Sequence, residues 1–261
     1  MDQESINLCL VQSDIHPQDA AQNIKHYEML LKSREIKSDL LVFPEMFSCG
    51  FSDDIVRIAQ QHTQQSFDFL YRTSQKYGTD TVASLPVVAQ NQRIYNRLVW
   101  VRENKIIAQY DKRHLFFGCE KQFCSAGTTR TIVQKNAWNI LSLICYDIRF
   151  PLWCRNKYVD NALLYDCLLL IANFPASRSN AWRALLTARA IENQAYVIGV
   201  NRIGKDGYGN NHTGNTLIID PLGEVVVEAP SDKEYILSVT LDHTLLNKLR
   251  NYFPVYEDWD T

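Results

Sequence analysis

Residues 141–151 read Leu-Ser-Leu-Ile-Cys-Tyr-Asp-Ile-Arg-Phe-Pro. An apolar run stops abruptly at a thiol, and polar residues and a proline follow. Leu141, Leu143 and Ile144 predict a buried strand. Pro151 can open a helix at its first turn, where a missing N–H costs nothing. A cysteine between such a strand and helix is exposed at the rim of a sheet. Backbone N–H groups there can face a developing oxyanion, which suits a nucleophile. A free cysteine is as readily a small buried apolar residue, and this segment alone leaves both readings open.

Two other segments bear on the choice. Asp39-Leu40-Leu41-Val42-Phe43-Pro44-Glu45-Met46-Phe47 is a short apolar run that ends in Pro-Glu. Tyr110-Asp111-Lys112-Arg113-His114-Leu115-Phe116 follows the strand-like Lys105–Tyr110. Taken singly, Glu45 and Lys112 read as solvated charges. Together with Cys145 they put a carboxylate, an ammonium and a thiol at three strand ends, the parts list of a thiol amidase.

Further strands are predicted at 6–11, 40–43, 81–88, 98–102, 137–145, 167–172, 196–201, 216–219, 224–228 and 236–241. Helices are predicted at 19–36, at 66–77 with Gly78 ending it, after Pro151, and at 179–194 with Ser179 or Asn180 as N-cap. Helices and strands alternate early and hairpins dominate late. This is the pattern of an α/β fold with mixed sheets, in one domain over residues 1–261, long enough to bury a sizeable core. Hydrophobic residues make up 46% and charged residues 21%, and the net charge is −2 with no basic run. Nothing here points to nucleic acid as a partner. The start, Met1-Asp2-Gln3-Glu4, lacks a basic n-region and an apolar h-region, so no signal peptide is expected. No apolar run reaches ~18 residues, so no membrane span is expected. Seven cysteines without a C-x-x-C pair point away from a zinc or thioredoxin site. Cys119, Cys124 and His114 lack a fourth metal ligand. Free thiols suggest the cytoplasm.

With Glu45 in a Pro-Glu turn, Lys112 in Asp111-Lys112-Arg113-His114-Leu115 and Cys145 in Cys-Tyr-Asp-Ile-Arg-Phe-Pro, in that order, the chain resembles the carbon–nitrogen hydrolase (nitrilase) superfamily. The resemblance runs from about Leu8 to about Leu241. It is strongest toward bacterial omega-amidases, over residues 111–116, 145–153 and 181–196. It implies a four-layer α-β-β-α sandwich with two mixed β-sheets, associated as a homodimer, and no cofactor. It also implies a second site glutamate, Glu120, with Gly127 seven residues on. The family's Asn-Trp-Pro stands here as Asn173-Phe174-Pro175, and Leu152 stands where many relatives have Glu. The activity implied is hydrolysis of the terminal amide of 2-oxo acids such as 2-oxoglutaramate or 2-oxosuccinamate. The alternatives are an N-carbamoyl amino acid or aliphatic amide hydrolase, and a non-catalytic binding protein on the same scaffold.

The chemistry assigns each residue a task. Cys145 attacks the amide and forms an acyl-enzyme, which splits the barrier in two. Its thiol titrates near pH ~8.5 when free, so a base or cation must help. Glu45 serves as general base and then acid. Lys112 and the N–H of Tyr146 meet the oxyanion, and Glu120 positions Lys112 or the substrate nitrogen. No histidine is needed, and His114 reads as structural. Phe174 supplies an aromatic wall. Arg149 either binds a substrate carboxylate through its fork or holds the elbow by an ion pair, for instance with Asp147 or Glu192. As the chain ends soon after the core, no fused synthetase or membrane domain is expected.

Overall fold

Two six-stranded sheets carry the chain in a computed structural model that describes residues 4–259. The reading of Met1–Gln3 and the last two residues of the expected domain lie outside the described residues. The first sheet takes β1 (Ser5–Gln12), β2 (Leu40–Val42), β3 (Asp80–Val88), β4 (Ile94–Arg102) and β5 (Lys105–Asp111). The second takes β6 (Ile132–Lys135), β7 (Trp138–Ile144), β8 (Cys167–Ala172), β9 (Tyr196–Asn201), β10 (Leu217–Ile219) and β11 (Val225–Glu228). The last strand, β12 (Tyr235–Asp242), returns to pair antiparallel with β1 and forms one edge of the first sheet.

Each sheet is mixed. β1, β2 and β3 run parallel, as do β7, β8 and β9, and antiparallel strands flank both trios. Parallel strands need cover on both faces, and the side-chain alternation of β1 shows how they get it. Ile6, Leu8 and Leu10 join Ile140, Ile144 and Leu169 in the core between the sheets. Cys9 and Val11 face the other way, onto Tyr27 and Leu31 of α1 (Ala20–Lys32) and Phe69 and Leu70 of a second long helix. With the helix Ile55–Gln61 as α2, that second long helix is α3 (Thr63–Tyr77). Beyond the second sheet, Trp182, Leu186 and Ala190 of α4 (Ser179–Asn193) pack on the core. The order is helix, sheet, sheet, helix, the four-layer α-β-β-α sandwich that the resemblance implied.

Several boundaries differ from expectation. α1 stops at Lys32, short of Ile36, because Arg34 and Glu35 are exposed and Ser33 caps the last turn. α3 starts three residues earlier and ends at Gly78, which takes the left-handed conformation (φ +61°) that closes the helix. α4 starts directly after Arg178, and neither Ser179 nor Asn180 acts as N-cap: both are already helical. The helix after Pro151 is one turn, Pro151–Cys154. A small hairpin pairs Ile203–Lys205 with Asn211–Thr213, and its turn falls at Gly207-Tyr208. The first half of β4, β6, α2 and α5 (His243–Tyr252) were not expected. No helix among the described residues is long and apolar enough to cross a membrane.

Candidate active site

The parallel trios point their carboxyl ends the same way, and ligands in open α/β sheets bind beyond such ends. Glu45 follows β2, Lys112 follows β5, Cys145 follows β7 and Asn173 follows β8. All four line one cavity of about 410 Å³, together with Glu120, Tyr146, Arg149, Phe174 and Arg178. That volume lies in the ~300–1,000 Å³ range of small-molecule sites.

Lys112 is the centre of a buried ion network. Its Nζ donates to Glu45 Oε1 at 2.7 Å and to Glu120 Oε2 at 2.6 Å, and the three side chains are at most 1% exposed. Asn96 Nδ2 bridges the two carboxylates, donating to Glu45 Oε1 at 2.9 Å and Glu120 Oε1 at 2.8 Å. The Phe116 N–H adds a bond to Glu120 Oε2 (2.9 Å), and the Asn173 N–H one to Glu45 Oε2 (2.8 Å). Buried charge is tolerated only when paired and hydrogen-bonded, and here every carboxylate oxygen has a donor. Burial works against the Lys112 charge, but Glu120 and Glu45 outweigh it and hold its pKa well above the ordinary range. Burial raises the Glu120 carboxyl, and Lys112 pulls against it.

Cys145 sits at the first position of a 3₁₀ turn, Cys145–Arg149, with φ +43°. A non-glycine residue there is uncommon and clusters at functional sites. Asp147 holds the turn. Its Oδ2 accepts from Tyr110 Oη (2.7 Å) and the Ile144 N–H (3.1 Å). Its Oδ1 lies 2.8 Å from His114 Nδ1 and accepts from the His114 N–H at 2.9 Å. His114 therefore serves the elbow, as read from the sequence. Arg189 of α4 grips the same turn, donating twice to the Ile148 carbonyl at 3.1 and 2.7 Å.

These contacts correct two expectations. Arg149 does not hold the elbow by an ion pair: Asp147 is taken by His114 and Tyr110, and Glu192 pairs with Arg189 at 2.9 Å. Arg149 is exposed, and its guanidinium carbon lies 5.7 Å from the centroid of the Phe174 ring. The second correction concerns the thiol. Of the base or cation that the thiol needs, Lys112 does not serve as the cation, because its single charge is matched by two carboxylates. Burial and then the Glu45 charge push the Cys145 thiol well above its ordinary value, and Lys112 opposes this only in part.

Phe174 is buried against Trp182, with ring centroids 5.1 Å apart. Its backbone is clamped by Asn201, which accepts from the Phe174 N–H at 2.8 Å and donates to its carbonyl at 2.9 Å. Asn173 Nδ2 donates to the Glu45 carbonyl at 2.7 Å, tying β8 to the Pro-Glu turn. Sequence reading missed Asn96, which is hydrogen-bonded to both carboxylates, and, on the cavity wall, Arg178 and the hairpin residues Asp206, Tyr208 and His212. For Asn96 a signal existed: Asn96, Leu98 and Trp100 share one face of β4 at period two, and a polar residue on a core face needs a partner. Cys119 lines the cavity and Cys124 lies on the same segment. Among the described residues no group of three or more His, Cys, Asp or Glu side chains could hold a metal.

A family model described as carbon-nitrogen hydrolase matches residues 7–251. Omega-amidase YafV of Yersinia enterocolitica is 38% identical over 261 residues, covering 98% of this chain and 97% of its own. A 2-oxoglutaramate amidase of Bacillus subtilis is 33% identical over 253 residues, covering 96% and 95%. Among solved structures, a CN-hydrolase superfamily protein from Xanthomonas campestris with an arsenic adduct in its active site superposes with a TM-score of 0.94. It is 34% identical and covers 99% of this chain and 98% of its own.

Proposed function

The chain belongs to the carbon–nitrogen hydrolase family, and from that premise we propose that it is an omega-amidase. It hydrolyses the terminal amide of a 2-oxo acid amide, such as 2-oxoglutaramate or 2-oxosuccinamate, to the dicarboxylate and ammonia. The observation that carries the reading is the buried Glu45–Lys112–Glu120 network beside Cys145 in one cavity. Near-full-length similarity to an omega-amidase and a 2-oxoglutaramate amidase supports the substrate class.

In this reading Cys145 Sγ attacks the amide carbon while Glu45 accepts the thiol proton. A general base suits a nucleophile whose resting thiol is held protonated. Lys112 Nζ carries three hydrogens, two of which go to Glu45 and Glu120. The third is free to meet the oxyanion beside the Tyr146 N–H. The tetrahedral intermediate collapses with cleavage of the C–N bond, and Glu45 returns the proton to the departing ammonia. Water then attacks the thioester with Glu45 again as base. The C–S bond breaks, and the thiol regains a proton as the carboxylate leaves. Glu120 keeps Lys112 charged and aimed. Arg149 pairs with the substrate carboxylate, since an unpaired buried charge is costly.

We take residues 1–261 as one such domain, acting as a cytoplasmic homodimer on a small-molecule substrate. The span of the family match and the pairing of β1 with β12 support the single domain. An ammonia-release assay over 2-oxo acid amides, N-carbamoyl amino acids, aliphatic amides and nitriles tests the function. The highest kcat/KM is expected on a 2-oxo acid amide; a clear preference for any other class would overturn the assignment.

A further inference from the structure

The charged groups of the cavity wall are neutralised by neighbours, with two exceptions. Lys112 is shared between Glu45 and Glu120. Asp206 accepts from the N–H groups of Tyr208 (2.9 Å) and Asn210 (2.8 Å) and from Asn210 Nδ2 (2.9 Å), and His212 Nε2 lies 3.2 Å from it. It is therefore committed to its own hairpin. Arg149 and Arg178 line the same cavity, and among the described residues neither forms an ion pair.

Both guanidiniums lie over aromatic rings. Arg149 lies over Phe174, and the Arg178 guanidinium carbon is 5.1 Å from the centroid of Phe116. Such support restrains a long side chain while leaving its hydrogen-bond fork unspent. The two arrive on separate elements. Arg149 closes the turn that Cys145 opens, and Arg178 closes the turn Ala176–Arg178 that follows Phe174.

One arginine suffices to meet a carboxylate, so a second unpaired one points to something beyond it. The far end of a 2-oxo acid amide carries a carboxylate next to a keto oxygen, which are acceptors only. The corresponding 2-amino acid amide, glutamine or asparagine, carries the same carboxylate next to an ammonium. Two unspent guanidiniums complement the first arrangement and repel the second, and specificity commonly includes such a repulsive element. Resting on the omega-amidase reading, we propose that Arg178 is a specificity-determining residue. Together with Arg149 it selects the 2-oxo acid end of the substrate and excludes the 2-amino acid end.

The test compares wild type, Arg178→Met and Arg178→Lys for ammonia release from 2-oxoglutaramate and from glutamine. Arg178→Met should lower the ratio of the two kcat/KM values at least tenfold, chiefly through KM for the 2-oxo substrate. Arg178→Lys keeps a charge over Phe116 without the fork and should recover part of the ratio. An unchanged ratio, or equal losses on both substrates, would overturn the proposal and point to a packing role. Should Arg178→Met fail to fold, the lysine variant carries the same comparison. Calorimetric binding of 2-oxoglutarate and glutamate separates this proposal from the functional reading. If wild type releases no ammonia from 2-oxo acid amides, the omega-amidase reading fails. The arginine pair then stands on at least tenfold tighter binding of 2-oxoglutarate than of glutamate, narrowed in the Arg178 variants, and equal binding overturns it.

Discussion

Cys145 and Glu45 divide the work of one nucleophile. The thiol is held protonated by burial and by the neighbouring carboxylate, so attack requires a base at the moment of reaction. Glu45→Gln keeps the shape and the Lys112 contact but cannot accept a proton. It should lower kcat by about 10²–10⁴-fold with a small change in melting temperature, the range typical of a lost general base. Cys145→Ala should stay folded and release no ammonia, and mass spectrometry of the wild type during turnover should place the acyl adduct on Cys145. An adduct on Cys119 with Cys145→Ala still active would overturn the assignment. Lys112→Ala is a poorer probe than the sequence suggests. It removes an oxyanion donor, but it also strands Glu45 and Glu120 without a counter-charge, a defect worth roughly 3–5 kcal/mol in buried pairs. Its loss of activity would mix catalysis with folding.

At the scale of elements, the site depends on how closely the segment after Glu120 returns to β5. The Gly127 N–H donates to the Lys112 carbonyl at 2.9 Å. A Cβ on Gly127 would lie 2.1 Å from the Asp111 carbonyl oxygen, and that oxygen belongs to backbone in a paired strand. Gly127→Ala should therefore push the segment off β5 and displace Lys112. We expect a drop of at least about tenfold in kcat and a destabilisation of about 1–3 kcal/mol, the usual cost of overpacking. Denaturant melts and steady-state kinetics on the same preparation check it, and wild-type values in both would show that the segment yields without moving Lys112. The resemblance singled out Gly127 only as a marker following Glu120. Its physical reason is this contact with β5, which appears only when the two segments are seen side by side.

Across the whole molecule, buried titratable groups limit stability on both sides of neutrality. Burial alone would raise Asp80, but hydrogen bonds from Arg102 and Trp100 and the Lys135 charge lower it. Asp166 is lowered against its burial by His243 and Arg250, and Asp206 falls to about 2 through His212 and Asn210. Folded values below the unfolded ~3.9 mean that these carboxylates stabilise the fold fully above that pH and lose the contribution as pH falls from there through their folded values. Burial raises the thiols of Cys145 and Cys167, and those of Cys49, Cys119, Cys124 and Cys154 to about 12. The unfolded chain ionises them near ~8.5 and the folded one does not, so stability falls as pH rises past that value. Melting temperature under reducing conditions should be level from about pH 5 to 8 and fall by about 5–10 °C by pH 10, on the scale of a few kcal/mol in a domain of this size. A level profile to pH 10 would show that the thiols ionise freely in the folded state. By itself the sequence determined the strands with long apolar runs, the α/β class and the three strand ends that carry Glu45, Lys112 and Cys145. Local pattern suffices for these, because each element states its own period and each motif is contiguous. Tertiary structure alone decided the rest. Asn96 bridges carboxylates 51 and 24 residues away in the chain, Arg189 rather than Arg149 holds the elbow, and Lys112 is matched by two acids. These depend on which loops the two sheets bring together. Charge balance at a buried site is a sum over neighbours in space, which one-dimensional spacing does not contain.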